Sequence, residues 1–152
     1  MAKRTTAKSG QNTLSIPVIK AHVLGVDVVR GYARLCDLAI ISYADVYDAK
    51  TNPTGTQRDL NAKHARDAYE YIRREEVAFW PEIFLALRGE KIFSFEEEDP
   101  SGYGIATFEI KKIEQSEYIE ISRIDGNHRL HFADGKTEGY PPITKIVSFC
   151  WR

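Results

Sequence analysis

The stretch Ile124-Asp125-Gly126-Asn127-His128-Arg129-Leu130 contains a glycine, at which a predicted strand ends and a predicted helix begins. Apolar and polar residues alternate before it, from Tyr118 to Ile124, and this period of two predicts a β-strand. After the glycine, residues 127–133 are expected to form a short helix. A strand, a glycine turn and a helix in this order direct backbone N–H groups at a bound anion. The stretch therefore predicts a phosphate or nucleotide site.

The side chains of this turn supply the groups that such a site needs. Gly126 allows the backbone to approach a phosphate closely, and Arg129 can donate to two phosphate oxygens at once. His128 can donate a hydrogen bond or transfer a proton. Asp125 can orient the histidine, bind a ribose hydroxyl or help to position Mg²⁺. An Asp-Gly turn is also common in ordinary hairpins, so a purely structural turn is the alternative interpretation.

The clearest helical pattern of the chain lies between Asp59 and Glu75. One face of this helix is expected to carry Leu60, His64, Ala68 and Ile72. Asp59 is the predicted N-cap, and the helix is expected to end near Glu75 or Glu76. Because His64 lies on the apolar face, it is expected to be a hydrogen-bonded core residue.

A second turn, Gly55-Thr56-Gln57-Arg58-Asp59, directly precedes this helix. Arg58 beside a helix N-terminus would again favour an anion, because the helix dipole places partial positive charge there. The pattern alone is explained better by capping, with Thr56 or Asp59 as the cap and Arg58 in solvent.

The remaining segments predict further strands that are joined by loops. Strand patterns occur at 14–19, 21–24, 83–87, 104–110 and 143–149. Pro17 predicts that the first of these is an edge strand or has a bent start. The apolar run at 34–41 is ambiguous between a strand and a helix, and its β-branched residues favour a strand through Ile40. Turns or loops are expected at 48–56, 95–102, 111–116 and in the glycine- and proline-rich segment before residue 143. Together these patterns predict a mixed α/β or α+β domain.

The composition is that of a soluble globular protein. The chain has 152 residues, of which 43% are hydrophobic, and this suits one domain with a single core. Its formal net charge of -1 gives no general attraction to DNA or to an anionic membrane. No apolar run approaches the roughly 20 residues of a membrane span. The two cysteines are far apart and fit a reduced, cytoplasmic protein, and no His or Cys spacing indicates a metal site.

Two expectations concern the ends of the chain. Residues 1–12 are basic and no apolar segment follows them, so they are expected to form a disordered arm rather than a signal peptide. Residues 13–152 are expected to form a single domain. The chain stops at Arg152, directly after a strand-like segment, and this favours the N-terminal part of a longer protein over a domain that ends on its last strand.

The two turns together resemble motifs of the DGQHR-domain family. Residues 124–130 are similar to the family's signature, with Asn127 at the position of the glutamine in the family name. Residues 55–60, the helix through Ile72 and the sequence Phe79-Trp80-Pro81-Glu82-Ile83 resemble the family's Gln-Arg turn, helix and strand. The best-known members are DndB-like proteins of bacterial DNA sulfur-modification systems. The family is similar in turn to the ParB/sulfiredoxin fold, whose members bind nucleotides.

This resemblance spans about residues 31–149, and it implies both a fold and a binding site. The fold would be α+β, with a small ParB/sulfiredoxin-like sheet and flanking helices. The phosphate-binding turn would consist of Asp125, Gly126, Asn127, His128 and Arg129. Gln57 and Arg58 would face this turn from the other side of the site.

The function implied by the resemblance is that of a nucleotide-binding regulatory or accessory protein in a bacterial DNA-modification or phage-defence system. ATP or another nucleotide, with or without Mg²⁺, is the expected ligand. If ATP is hydrolysed, Asp125 and His128 are the catalytic candidates. DNA, further copies of the chain and other proteins of the system are the expected partners. The DNA backbone contacts would come from Lys3, Arg4, Lys8, Arg73 and Arg74.

Two other functions stay open at the level of sequence. A ParB-fold small-molecule kinase or other phosphotransferase would use His128 or Asp125 as its base. A non-catalytic interaction domain would use the turn only as a structural element.

Overall fold

The computed structural model describes residues 12–76, 81–88 and 93–152. This part of the chain forms one sheet of seven strands together with four helices. The strands are β1 Thr13–Val23, β2 Val26–Arg34, β3 Ile83–Leu87, β4 Phe93–Glu97, β5 Tyr103–Glu109, β6 Ile121–Asp125 and β7 Ile146–Trp151. The helices are α1 Leu35–Ile41, α2 Ala62–Arg74, α3 Ile110–Gln115 and α4 Asn127–Leu130. The predicted mixed α+β class is confirmed.

The strand order across the sheet is β4-β5-β1-β2-β7-β3-β6. Neighbouring strands run antiparallel, except that β3 and β7 run parallel. β7 therefore lies inside the sheet, between β2 and β3, although it comes last in the chain. β6 lies at one edge, so the glycine turn that follows it emerges beside the sheet. No helix of the described residues is long and apolar enough to cross a membrane.

One face of the sheet carries the hydrophobic core. The start of β1 buries every second residue, namely Leu14, Ile16 and Val18, while the residues between them are exposed. Trp151 of β7 stacks on Phe149 at 4.9 Å between ring centroids and meets the ring of Phe108 edge-on at 5.3 Å. Side chains of this size contribute roughly 1.5–3 kcal/mol each when they are fully buried. The core therefore fixes the central strands from which the outer elements extend.

The first strand does not lie at the edge of the sheet as predicted, but its segment before Val18 is paired on one side only. β1 is an interior strand that pairs with β5 from Thr13 to Ile19 and with β2 from Val18 to Val23. Pro17 is tolerated because it precedes the first residue that is paired with β2. Proline has no backbone N–H group, and none is needed at residue 17 to pair with β2.

The predicted strand at residues 34–41 is also wrong, because Leu35–Ile41 forms helix α1. This helix is buried on nearly all sides, so its sequence lacks the periodic polar face by which a helix is usually identified. Its first turn is closed by an ion pair from Arg34 to Asp37, with 2.7 Å between Nε and Oδ2. Residues 110–115, where a turn was expected, form the short helix α3.

Helix α2 begins at Ala62, two residues beyond the expected start, and its N-cap is Asn61 rather than Asp59. The Asn61 side-chain oxygen accepts a hydrogen bond from the backbone N–H of His64 at 3.1 Å. Its predicted end near residue 75 is confirmed, and the Lys145 ammonium donates to carbonyl oxygens of that last turn. The helix buries Ala65, Ala68, Tyr69 and Ile72.

The buried guanidinium of Arg123 joins the end of α1 to the start of α4. Its Nη2 donates to the carbonyl oxygens of Ala39 at 3.1 Å and Ser42 at 2.9 Å, which belong to the C-terminal end of α1. Its Nη1 donates to the side-chain oxygen of Asn127 at 3.1 Å. Burial lowers the pKa of Arg123 to about 10, so the group stays charged at neutral pH. A cation at a helix C-terminus also interacts favourably with the helix dipole.

We expect Arg123→Met to lower the free energy of unfolding by about 3 kcal/mol, because it leaves four buried acceptor atoms without their donor, the Ser42 hydroxyl oxygen among them. Urea denaturation measures this difference. Arg66→Met is the matched control, since Arg66 is exposed on α2, and it should change stability by less than about 0.5 kcal/mol. Equal effects of the two substitutions would contradict the role assigned to Arg123.

Candidate functional site

The glycine turn between β6 and α4 has the predicted order of strand, glycine and helix. Gly126 has φ 97° and ψ 13°, a left-handed conformation that side chains other than glycine rarely adopt. A Cβ atom at this position would lie 2.5 Å from Cδ1 of the buried Ile83. Both conformation and space therefore require glycine here. The strand begins at Ile121, later than predicted, and the helix comprises only four residues.

The short helix changes the expected source of anion binding. The macrodipole argument depends on aligned peptide units, and a four-residue helix has few of them. The N–H of Gly126 donates to the Asp125 carboxylate at 2.8 Å, so it already has an acceptor within the protein. Side chains, rather than the end of α4, would have to provide most of the attraction for a phosphate.

The second turn was predicted to lead directly into a helix. Instead, it pairs with the segment 45–47. The N–H groups of Thr56 and Gln57 both donate to the carbonyl oxygen of Asp45 at 2.9 Å. A Cβ at Gly55 would lie 2.5 Å from the backbone nitrogen of Tyr47, so a larger residue could not fit. This pairing holds the second turn in one position relative to the rest of the fold.

Gln57 connects the second turn to the first. Its side-chain nitrogen donates to the carbonyl oxygen of Ile124 at 2.9 Å, directly before the glycine turn. The two motifs are 67 residues apart in sequence, yet they meet at one place in the structure. Arg58, by contrast, is exposed, and the described residues that line the cleft beside the turns do not include it.

A cleft of about 870 Å³ lies between the glycine turn and helix α2. This volume is within the range of about 300–1,000 Å³ that is usual for small-molecule sites. Its lining on the turn side is formed by Asp125, Gly126, Asn127, His128 and Arg129, with Gln57 and Pro81 beside them. Its lining on the helix side is formed by His64, Asp67, Ala68 and Tyr71.

Two histidines face each other across this cleft. The ring centroids of His64 and His128 are 5.9 Å apart with an edge-on arrangement. Nε2 of His128 accepts a hydrogen bond from the backbone N–H of Asn61 at 3.3 Å. A neutral His128 ring must therefore carry its proton on Nδ1, which is then a donor. The expectation of a core histidine at position 64 is wrong, because His64 is exposed.

A helical stripe in the sequence could have identified the helix side of the cleft. His64, Asp67, Ala68 and Tyr71 have the spacing i, i+3, i+4 and i+7, which places them on one face of α2. The predicted apolar face shares His64 and Ala68 with this stripe, but it continues to Ile72, which packs into the core. Polar residues on the cleft stripe look like an ordinary solvated surface when no partner is known.

Arg129 is a buried cation, although the turn was expected to present it to a ligand. Its side chain is only 8% exposed. Its Nη1 donates to the carbonyl oxygen of Pro81, and its Nη2 lies 3.8 Å from Oδ2 of Asp125. Burial lowers the pKa of Arg129, and the Asp125 carboxylate opposes this effect. Arg129 thus adds positive potential to the wall of the cleft while it also holds the turn against residue 81.

The other two residues of the turn differ in exposure. Asn127 is buried, and its side-chain oxygen accepts the hydrogen bond from Arg123 described above, so it anchors the turn to the protein. The Asp125 side chain is 68% exposed and lines the cleft. Asp125 is therefore the carboxylate of the turn that a ligand can reach.

The described residues contain no group of three or more His, Cys, Asp or Glu side chains arranged to hold a metal ion. Mg²⁺ is usually bound by one or two carboxylates together with phosphate oxygens. Asp125 and Asp67 both line the cleft, and Asp67 pairs with Lys63 at 2.9 Å.

The residues proposed to contact DNA fall into two groups. Arg73 and Arg74 are exposed at the C-terminal end of α2, and Arg74 forms an ion pair with Glu70 at 3.0 Å. Lys3, Arg4 and Lys8 lie outside the described residues, as does the predicted arm except for Asn12. The Asn12 carbonyl oxygen accepts a hydrogen bond from the N–H of Ile110 at 2.9 Å.

Comparisons with known proteins gave no relative of this chain: no model of a protein family, no curated protein and no solved structure matches it.

We expect Gly126→Ala to destabilise the protein by about 2–4 kcal/mol, because it combines backbone strain with a steric clash against Ile83. Gly139→Ala is the matched control. Gly139 also has a positive φ of 82°, but a Cβ there would meet no atom within 4 Å, so only the strain of about 1 kcal/mol should remain. Thermal or urea unfolding measures both values. Equal losses would show that the space at residue 126 is not restricted.

Proposed function

We propose that this chain is a nucleotide-binding regulatory or accessory domain of a bacterial DNA-modification or phage-defence system, with a ParB/sulfiredoxin-like fold. The observation that carries the proposal is the meeting of the two turns at one cleft. Each turn was predicted from its own residue pattern, both resemble DGQHR-family motifs, and Gln57 of one donates to the carbonyl oxygen of Ile124 beside the other. The cleft between the turns and α2 has the volume of a nucleotide site.

The polar groups of the cleft suit a phosphate. The His64 ring can donate a hydrogen bond, and the Nδ1–H of a neutral His128 can donate another, because Nε2 of His128 accepts from the N–H of Asn61. Arg129 contributes a fixed positive charge close to the surface of the cleft. Charge-assisted hydrogen bonds to phosphate oxygens are roughly twice as strong as neutral ones. His128 is the central donor of this proposal, because it belongs to the turn and lines the cleft directly.

ATP hydrolysis is a secondary proposal that depends on the first. The accessible carboxylate of Asp125 and the imidazole of His128 line the same cleft. Groups of these two types can position or deprotonate a water molecule beside a phosphate. Binding to DNA would use the exposed Arg73 and Arg74 together with the basic residues of the arm, and it would depend strongly on salt concentration.

We expect wild-type protein to bind ATP in the presence of Mg²⁺, and His128→Ala to weaken this binding by about 10-fold or more. The estimate corresponds to the loss of one charged hydrogen bond of about 1.5–3 kcal/mol. Isothermal titration calorimetry gives both constants directly. His131→Ala is the control, because His131 is also exposed and packs edge-on against Phe132 at 4.5 Å, but it is not part of the cleft lining.

An absence of heat with ATP, GTP and CTP for the wild-type protein would overturn the proposal. The glycine turn would then be a structural element of a non-catalytic interaction domain. Equal weakening by His128→Ala and His131→Ala would show that the nucleotide binds elsewhere. ATP consumption that requires an added acceptor with a free hydroxyl group would favour the phosphotransferase alternative.

A further inference from the structure

Helix α2 has a second face that the core does not use. The core face buries Ala65, Tyr69 and Ile72, whereas the stripe His64, Asp67, Ala68 and Tyr71 lines the cleft. Tyr71 is 42% exposed as a residue and lines the cleft. Ala68 and Pro81 add apolar surface to the same cleft. The cleft therefore combines an apolar, aromatic part with the polar groups of the glycine turn.

The polar part and the apolar part of the cleft lie at different positions along helix α2. His64 lies in the first turn of α2 and contacts His128 of the glycine turn. Tyr71 lies seven residues later, which corresponds to about 10 Å along the helix axis. A ligand that reaches both ends must be elongated, with a polar end at the histidines and a flat apolar end at Tyr71. Inorganic phosphate or a simple polyphosphate has no such apolar end.

The dipole of helix α2 is oriented in agreement with this arrangement. The helix has 13 residues, and its N-terminal end lies at the histidines. The positive end of its dipole is thus on the side of the polar groups. The side-chain oxygen of Asn61 accepts a hydrogen bond from the backbone N–H of His64. The backbone N–H of Asn61 donates to Nε2 of His128. The cap is therefore tied to the same histidine that lines the cleft.

We propose that Tyr71 is a specificity residue that stacks on the base of a nucleotide whose phosphates lie at His64 and His128. This inference rests on the proposed function, and it extends that function from phosphate binding to recognition of the nucleoside. Stacking of a base on an aromatic side chain is energetically significant and tolerates different bases. The site accordingly selects nucleotides over polyphosphates and discriminates only weakly among bases.

The test compares ATP with tripolyphosphate, which has the phosphate chain without the nucleoside, by calorimetry in the same buffer. Tyr71→Ala should weaken ATP binding about 10-fold, or about 1.4 kcal/mol, and leave tripolyphosphate binding unchanged. Tyr71→Phe keeps the aromatic face and should restore ATP binding to within about twofold of the wild-type value. Tyr118→Ala is the control for loss of an exposed tyrosine, since Tyr118 is 79% exposed and does not line the cleft.

The possible failures can be told apart. If Tyr71→Ala weakens ATP and tripolyphosphate equally, or weakens neither, the stacking inference is overturned while the phosphate site stands. If Tyr71→Phe binds ATP as weakly as Tyr71→Ala, the hydroxyl group and not the ring is responsible, and the inference is also overturned. If the wild-type protein binds neither ligand, the proposed function itself fails and this inference fails with it. Unfolding curves of each variant confirm that the compared proteins are folded.

Discussion

The position of the glycine turn depends on one buried cation. Arg123 lies in the edge strand β6, three residues before Gly126, and its guanidinium donates to carbonyl oxygens at the end of α1 and to Asn127. A charge that is buried to this degree is tolerated only when its donors find acceptors. The backbone around it is therefore restricted to arrangements that keep those acceptors in place. Moving the turn would leave either the guanidinium or the end of α1 without hydrogen bonds.

This restriction is transmitted to the cleft through short connections. Gln57 joins the second turn to Ile124, and the N–H of Asn61 at the start of α2 joins the helix to His128. The walls of the cleft are thus linked to each other independently of any ligand. A site that is formed in advance loses less conformational entropy on binding than a flexible one. The arrangement supports a binding role more directly than a catalytic one, since it shows how the groups are held and not how a reaction would proceed.

The local patterns of the sequence predicted those parts of the fold where one face is buried and the other is exposed. Helix α2 and the strand at residues 103–109 have such patterns, and their predicted types are confirmed. The strand at residues 83–87 was predicted from a short, continuous apolar run, and its type is also confirmed. Helix α1 is buried on nearly all sides, so its apolar run at 35–41 has no period that separates a helix from a strand. The sheet position of the strand that contains Pro17 could not be predicted, because local sequence cannot show which part of a strand pairs on both sides.

Sequence predicted fewer features of the candidate site than of the fold. The turn at Gly126 could be predicted because a left-handed glycine is a local requirement. The burial of Arg129, the exposure of His64 and the contribution of Arg123 depend on contacts between distant segments, for which single-sequence patterns carry no signal. The two turns were predicted from their glycine residues, their charged side chains and the helices expected after them, and no family model matches the chain.

We propose that a nucleotide binds between α2 and the glycine turn. The most direct measurement is a titration of ¹⁵N-labelled protein with ATP, followed by backbone amide resonances in NMR spectra. We expect the largest shifts at the residues that line the cleft, namely Gly126, His128, His64 and Tyr71. The exposed face of β1 and β2, which includes Ile19 and Tyr32, should not respond. Shifts confined to that face, or no shifts at saturating ATP, would contradict the proposal.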